Sequence, residues 1–292
     1  MIALGRRLQE AKPLVLDGAT GTELARRGVS VALPLWSASA ISDAPDILRD
    51  IHADYVEAGA ELITANTFRT HARSLAKGGL GTRAAELTAQ AVEAARECAG
   101  GWAWVLGSQA PLEDCYRPDL APDDDALARE HAQHAEHLAK ADVDAILVET
   151  QNTIREAAAA AKAASSTGLP VLVSFACGTD GRLLSGETVT EAARAVLPFK
   201  PVALLVNCTS TPTLIAPLKE LLAAAPGLHV GGYGNVGHAA PDGSWVSDGV
   251  EDPAAYAAFA EAWLKAGARI VGGCCGTTPG HVRALAKLIQ RG

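Results

Sequence analysis

A chain of 292 residues with 49% hydrophobic residues has the apolar mass for a large core, which excludes a disordered or low-complexity protein. A formal charge of -8 removes the electrostatic case for nucleic acid or an anionic membrane surface as partner and points to a small metabolite. Six cysteines are too few to staple a chain this long, so in a reducing compartment clustered cysteines suggest metal binding or catalysis.

The first residues, MIALGRRLQEAKP, are interrupted by Arg6, Arg7, Glu10 and Lys12 and lack the apolar core of a signal peptide. No apolar run approaches the ~20 residues of a spanning helix. The expectation is a cytoplasmic protein with no membrane partner.

Eight short apolar runs follow one another: Leu14 to Leu16, Glu61 to Ala65, Trp104 to Leu106, Ala145 to Val148, Val171 to Phe175, Val202 to Val206, His229 to Gly232 and Ala268 to Val271. They are rich in Val, Ile and Leu and do not alternate with polar residues, as expected of parallel strands buried on both faces. Between them lie stretches of helical period: Asp43 to Ala58, Thr82 to Ala99, Asp123 to Ala141, Asn152 to Thr167, Thr190 to Leu197, Thr213 to Ala224, Pro253 to Ala266 and Pro279 to Gln290. Eight strands alternating with eight helices predict an α/β fold, a single (β/α)8 TIM barrel forming one domain over residues 1–292. An open doubly wound sheet is the other arrangement, but no GxGxxG follows the first run.

A barrel gathers its chemistry at the carboxyl ends of its strands. The residues after the apolar runs are Asp17-Gly18-Ala19-Thr20-Gly21-Thr22, Asn66-Thr67-Phe68, Ser108-Gln109, Glu149-Thr150, Asn207-Cys208-Thr209, Tyr233-Gly234-Asn235 and Gly272-Gly273-Cys274-Cys275. Cys208, Cys274 and Cys275 therefore predict an open three-thiolate site, suited to zinc and able to take a substrate thiol as fourth ligand. Three buried thiols, or a vicinal disulfide at Cys274-Cys275, are the alternatives. Asp17 and Glu149 are candidates for holding a substrate ammonium, with the Gly18 turn receiving its carboxylate. Asp17 also suits a turn or helix cap, and Glu149 a partner for a basic side chain. His131, His134 and His137 read as a solvated helix face, and Cys98, Cys115 and Cys177 as structural.

The segments LDGATGTEL (16–24), ANTF (65–68), ETQNTIREA (149–157), VNCTS (206–210) and GGCCGTTPGH (272–281) together resemble the homocysteine S-methyltransferases, from Leu14 to His281. The resemblance implies zinc on Cys208, Cys274 and Cys275, L-homocysteine sulfur as the fourth ligand, and amino-acid contacts near Asp17, Gly18, Thr67 and Glu149. The segment Pro34-Leu35-Trp36-Ser37-Ala38 resembles that of branches using S-methylmethionine, whereas NTFRTH (66–71) and SQAPLEDCYRP (108–118) depart from the pattern of those branches. The expected donor is a small sulfonium, S-methylmethionine or S-adenosylmethionine. One barrel uses the chain and stops at Gly292, without room for the folate and cobalamin domains of the large methionine synthases or the extension of the betaine-dependent relatives. Trp36 and Asn235 are expected at the substrate mouth, Trp36 against the sulfonium, though a packing role suits Trp36 as well. Betaine or another onium donor, and a zinc- or thiol-binding barrel without catalysis, are the alternatives.

Overall fold

The computed structural model describes residues 4–239 and 245–291. Eight parallel strands form one sheet: β1 (Leu14–Val15), β2 (Leu62–Ala65), β3 (Trp104–Gln109), β4 (Ala145–Gln151), β5 (Val171–Ala176), β6 (Ala203–Ser210), β7 (His229–Asn235) and β8 (Ile270–Gly273). β8 pairs with both β7 and β1, and a parallel bridge between Leu16 and Leu62 closes the ring. This is the predicted barrel. β3, β4, β6 and β7 run beyond the apolar stretches and carry polar residues up to the rim.

Eight helices surround the barrel: α1 (Pro45–Ala58), α2 (Ala84–Ala99), α3 (Asp124–Lys140), α4 (Ile154–Ser165), α5 (Val189–Val196), α6 (Ile215–Ala224), α7 (Pro253–Ala266) and α8 (Pro279–Arg291). Four of them start at side-chain caps. Asp123 accepts from the Ala126 N–H, Thr153 from Glu156, Thr188 from Glu191 in a reciprocal capping box, and Asp252 from Ala254 and Ala255. α1, α2 and α6 start without a side-chain cap. The stretch expected from Asp43 begins instead at Pro45, because Asp43 ends a separate short turn, Ala40–Asp43, and Ala44 precedes the proline that opens the helix.

The sequence reading missed the short helices Leu4–Leu8 and Gly21–Arg26 and the antiparallel pair Gly237–Ala239 and Trp245–Ser247. These are too short for periodicity to reveal. Inside the barrel, Leu14, Leu16, Leu62, Leu106, Leu147, Leu172, Leu205 and Ile270 form one cluster, joined from below by Leu4 and Leu8 and from above by Tyr233. The outer faces of the strands pack on the helices in a second, larger cluster.

The histidine reading for α3 is overturned. His131 and His134 are buried against the barrel, and only His137 is half-buried. His131 Nε2 lies 3.3 Å from Glu156 Oε1, and Gln109 Nε2 lies 3.1 Å from His131 Nδ1. His134 Nε2 donates to the Ser108 carbonyl at 3.2 Å. With Leu127 and Leu138 these residues form a stripe spaced four, three and four apart, which is the inward face of a helix.

Candidate functional site

The carboxyl ends of the strands surround a cavity of about 610 Å³. Asp17, Gly18, Trp36, Glu149, Cys208, Cys274 and Cys275 line it together. The three Sγ atoms lie within 4.8 Å of one another, the grouping among the described residues that could hold a metal ion. Cys208 Sγ and Cys274 Sγ are 3.2 Å apart.

Local backbone brings these thiols together. β6 departs from its register with β7 between Asn207 and Ser210, and Cys208 sits there in the left-handed region at φ 49°. β4 has a matching irregularity between Val148 and Gln151, with Thr150 at φ 59°. Non-glycine residues in this region cost energy and persist only where their surroundings hold them. Asn207 does so here. Its Oδ1 accepts from the Thr150 N–H (3.0 Å) and the Ser174 hydroxyl (2.6 Å). Its Nδ2 donates to Thr150 Oγ1 (2.8 Å) and Cys208 Sγ (3.3 Å). One buried amide thus ties both bulges to the first thiol.

The other two thiols follow β8. The Cys274 N–H donates to the Gly234 carbonyl (2.9 Å) and the Cys275 N–H to Asn235 Oδ1 (3.0 Å). Thr277 folds back, its hydroxyl donating to the Cys274 carbonyl at 2.8 Å. A Cβ at position 273 would lie 2.3 Å from Thr277 Oγ1, so glycine is required for this tight loop. Hydrogen bonds from Cys208 and Cys274 pull the Cys275 thiol well below its ordinary range, so the cluster already favours one thiolate.

Two carboxyls face the thiols. Asp17 accepts from the Thr64 N–H (2.7 Å) and hydroxyl (3.1 Å), and burial raises its pKa well above the usual carboxyl range. Glu149 accepts from the Ser108 hydroxyl and from the Tyr233 hydroxyl (3.1 Å), and burial pushes it up to about 7. Neither meets a cation among the described residues. Two buried acids without a counter-charge form a receptor for one.

Two expected contacts turn away from the cavity. The Thr67 hydroxyl donates to the Ser108 carbonyl at 2.9 Å, and Asn235 braces the Cys275 loop. Neither side chain lines the cavity, and Thr64 stands on its wall instead. Trp36 is there as expected. It meets Phe68 edge to face at 5.5 Å and packs so closely on Gly21 that a Cβ at position 21 would lie 2.3 Å from its ring. Phe68, expected on the rim after the second run, lines the cavity, as do Arg69 and Tyr116, to which sequence reasoning gave no role although the NTFRTH and SQAPLEDCYRP segments that contain them were the ones departing from pattern. Cys115 also reaches the cavity, with its thiol pushed up to about 12 by burial, so it stays protonated.

The sequence pattern of a family described as homocysteine S-methyltransferase matches residues 14–289. The chain is 34% identical over 296 residues to the homocysteine S-methyltransferase of Escherichia coli (strain K12), covering 93% of this chain and 94% of that protein. It is 29% identical to the selenocysteine methyltransferase of Astragalus bisulcatus, over 97% of this chain and 94% of the other. The crystal structure of the metallated form of the Escherichia coli homocysteine methyltransferase MmuM matches with a TM-score of 0.84 at 27% identity, over 97% of this chain and 98% of that chain. With its pattern matched from β1 into α8, the chain belongs to the homocysteine S-methyltransferase family.

Proposed function

We propose that the protein transfers a methyl group from a small sulfonium donor to the sulfur of L-homocysteine, giving methionine, with zinc held by Cys208, Cys274 and Cys275. The observation that carries this reading is a cluster of three sulfurs within 4.8 Å at the floor of a cavity whose wall holds two buried, unpaired carboxyls. Three thiolates about 2.3 Å from one zinc would stand about 3.8 Å apart, so the cluster fits that ion. An all-sulfur set favours zinc over magnesium or calcium, and three protein ligands leave a position for substrate.

Bound zinc supplies the charge that keeps a homocysteine sulfur deprotonated near neutral pH. The chain's own residues do the rest. Asp17 and Glu149 take the homocysteine ammonium, which orients the sulfur toward the cavity. Trp36 and Phe68 offer aromatic faces to the sulfonium, an attraction worth about 0.5–2 kcal/mol. The methyl then passes in line between the two sulfurs, and the donor leaves as a neutral thioether that needs no acid. All six cysteines are free, in keeping with a reducing compartment such as the cytoplasm.

The test is a competition assay with homocysteine and equal amounts of S-methylmethionine, S-adenosylmethionine, betaine and methyltetrahydrofolate, read as methionine formed, alongside metal analysis. S-Methylmethionine is expected to lead and S-adenosylmethionine to follow, with about one zinc per chain bound. No methionine from any donor would sink the methyltransferase reading. Preferred use of betaine or the folate would overturn the donor. Full zinc occupancy in Cys208→Ala would remove that residue from the ligand set.

A further inference from the structure

Arg69 follows β2 on the cavity wall, half-buried, and its charge is unmatched. Its Nη1 donates to the backbone carbonyl of Glu113 at 3.0 Å, and its guanidinium lies 5.4 Å from the Phe68 ring centroid. Among the described residues its buried Nε donates to nothing, Nη2 has no acceptor, and no carboxylate lies within ion-pair distance. The carboxylate of Glu113 itself is committed elsewhere: it gives one oxygen to Arg73 at 3.1 Å and the other to Lys77. Arg7, Arg27, Arg73 and Arg96, also wholly or partly buried, each meet a carboxylate. Arg69 differs from them in facing a cavity.

An arginine fork with free N–H groups matches a carboxylate in shape and charge. Its position relative to the aromatic pair matters. Phe68 neighbours both Arg69, at 5.4 Å from its ring centroid, and Trp36, at 5.5 Å between centroids. A bare sulfonium at that pair would meet the guanidinium as a like charge in a sheltered site, which is unfavourable. A sulfonium that brings its own carboxylate removes the conflict. The cavity, at about 610 Å³, has room for homocysteine and such a second molecule.

We propose that Arg69 binds the carboxylate of the methyl donor, so that the site selects sulfonium donors built on a carboxylate-bearing chain. This rests on the reading of the cavity as a methyltransferase centre.

The experiment compares the zinc-loaded protein with its Arg69→Gln and Arg69→Lys variants on three donors: S-methylmethionine, its carboxamide, and trimethylsulfonium. Arg69→Gln is expected to raise the KM for S-methylmethionine about 10- to 100-fold and to leave the homocysteine KM within about twofold. Arg69→Lys, which keeps the charge but loses the fork, falls between. In the unsubstituted protein the carboxamide is a poorer donor than S-methylmethionine by a similar factor, and Arg69→Gln makes neither it nor trimethylsulfonium any worse. A loss of fold or stacking would instead weaken all three donors together. The proposal is overturned if Arg69→Gln leaves the S-methylmethionine KM unchanged, if it raises the homocysteine KM instead, or if the unsubstituted protein uses the carboxamide as well as the parent donor. The last comparison needs no variant to fold. Absence of methionine from every donor in the unsubstituted protein would be a different result, since it removes the methyltransferase reading itself.

Discussion

Glu149 follows three apolar residues and is buried, two facts that together decide its chemistry. Burial pushes its pKa up to about 7, so it stands half-ionised near neutrality. An ammonium arriving beside it favours the carboxylate and lowers that pKa. Binding therefore releases a proton when Glu149 starts protonated, and affinity is lost as pH falls through about 7. The homocysteine KM is expected to rise on the acid side of that point. Glu149→Gln should raise it most above about pH 7, by as much as roughly 3–5 kcal/mol where the charge pair is fully desolvated, should approach the unsubstituted protein at acid pH, and should abolish the inflection. An unchanged inflection in Glu149→Gln would assign it to another group. Asp17, Glu149 and the three cysteines were legible because each lies within a few residues of the end of an apolar run, where such a side chain is chemically out of place. Thr67 and Asn235 share that position in the chain, yet their side chains turn to a carbonyl and a loop N–H. Chain position locates the rim but does not give the direction of a side chain. Arg69 lay beyond reach for the opposite reason: its significance is the lack of a partner, which only packing reveals.

At the scale of elements, the parallel strands were legible from their unbroken apolar runs, and most helices from period and caps. The two bulges were not. Nothing in ETQ or NCT announces a left-handed residue, because the conformation is imposed by the neighbouring strand through Asn207. That dependence can be measured. Asn207→Leu keeps the volume but removes the bonds to Thr150 and Cys208, and should weaken metal affinity about 10- to 100-fold, as loss of a ligand's outer support does elsewhere. Competition against a chelator measures the change, and circular dichroism checks that the barrel remains. Unaltered affinity would mean that the bulge holds itself. The misread face of α3 teaches a related lesson. Histidine is polar, and a polar triad suggests solvent. The stripe Leu127, His131, His134 and Leu138 pointed inward, and burial is tolerated because Glu156, Gln109 and the Ser108 carbonyl supply partners.

The whole molecule is held at both ends of its interior. Below, Arg7 is 5% exposed and grips Glu61 through two nitrogens at 3.0 Å while donating to the carbonyls of Lys12 and Pro13. It fastens the Leu4–Leu8 helix under the barrel beside the start of β2. Arg7→Ala should cost about 3 kcal/mol, near the lower bound for breaking a buried pair, because Glu61 keeps some contact with water. The readout is a lower melting midpoint with the homocysteine KM unchanged, since the site lies at the opposite end. An equal melting point would show that Leu4 and Leu8 hold the plug alone. Above, Cys208 belongs to β6 while Cys274 and Cys275 follow β8, the strand that sits between β7 and β1 and completes the ring. The three sulfurs therefore reach across β7 and tie β8 to β6. An unfolded chain keeps only the adjacent pair together, so the full ligand set exists only once these three strands lie side by side. On the proposed metal reading, ion supply and the docking of β8 then become a single equilibrium: free ion at a hundred times its dissociation constant would deepen folding by about 2.7 kcal/mol, and scarcity of the ion would loosen the rim along with the chemistry.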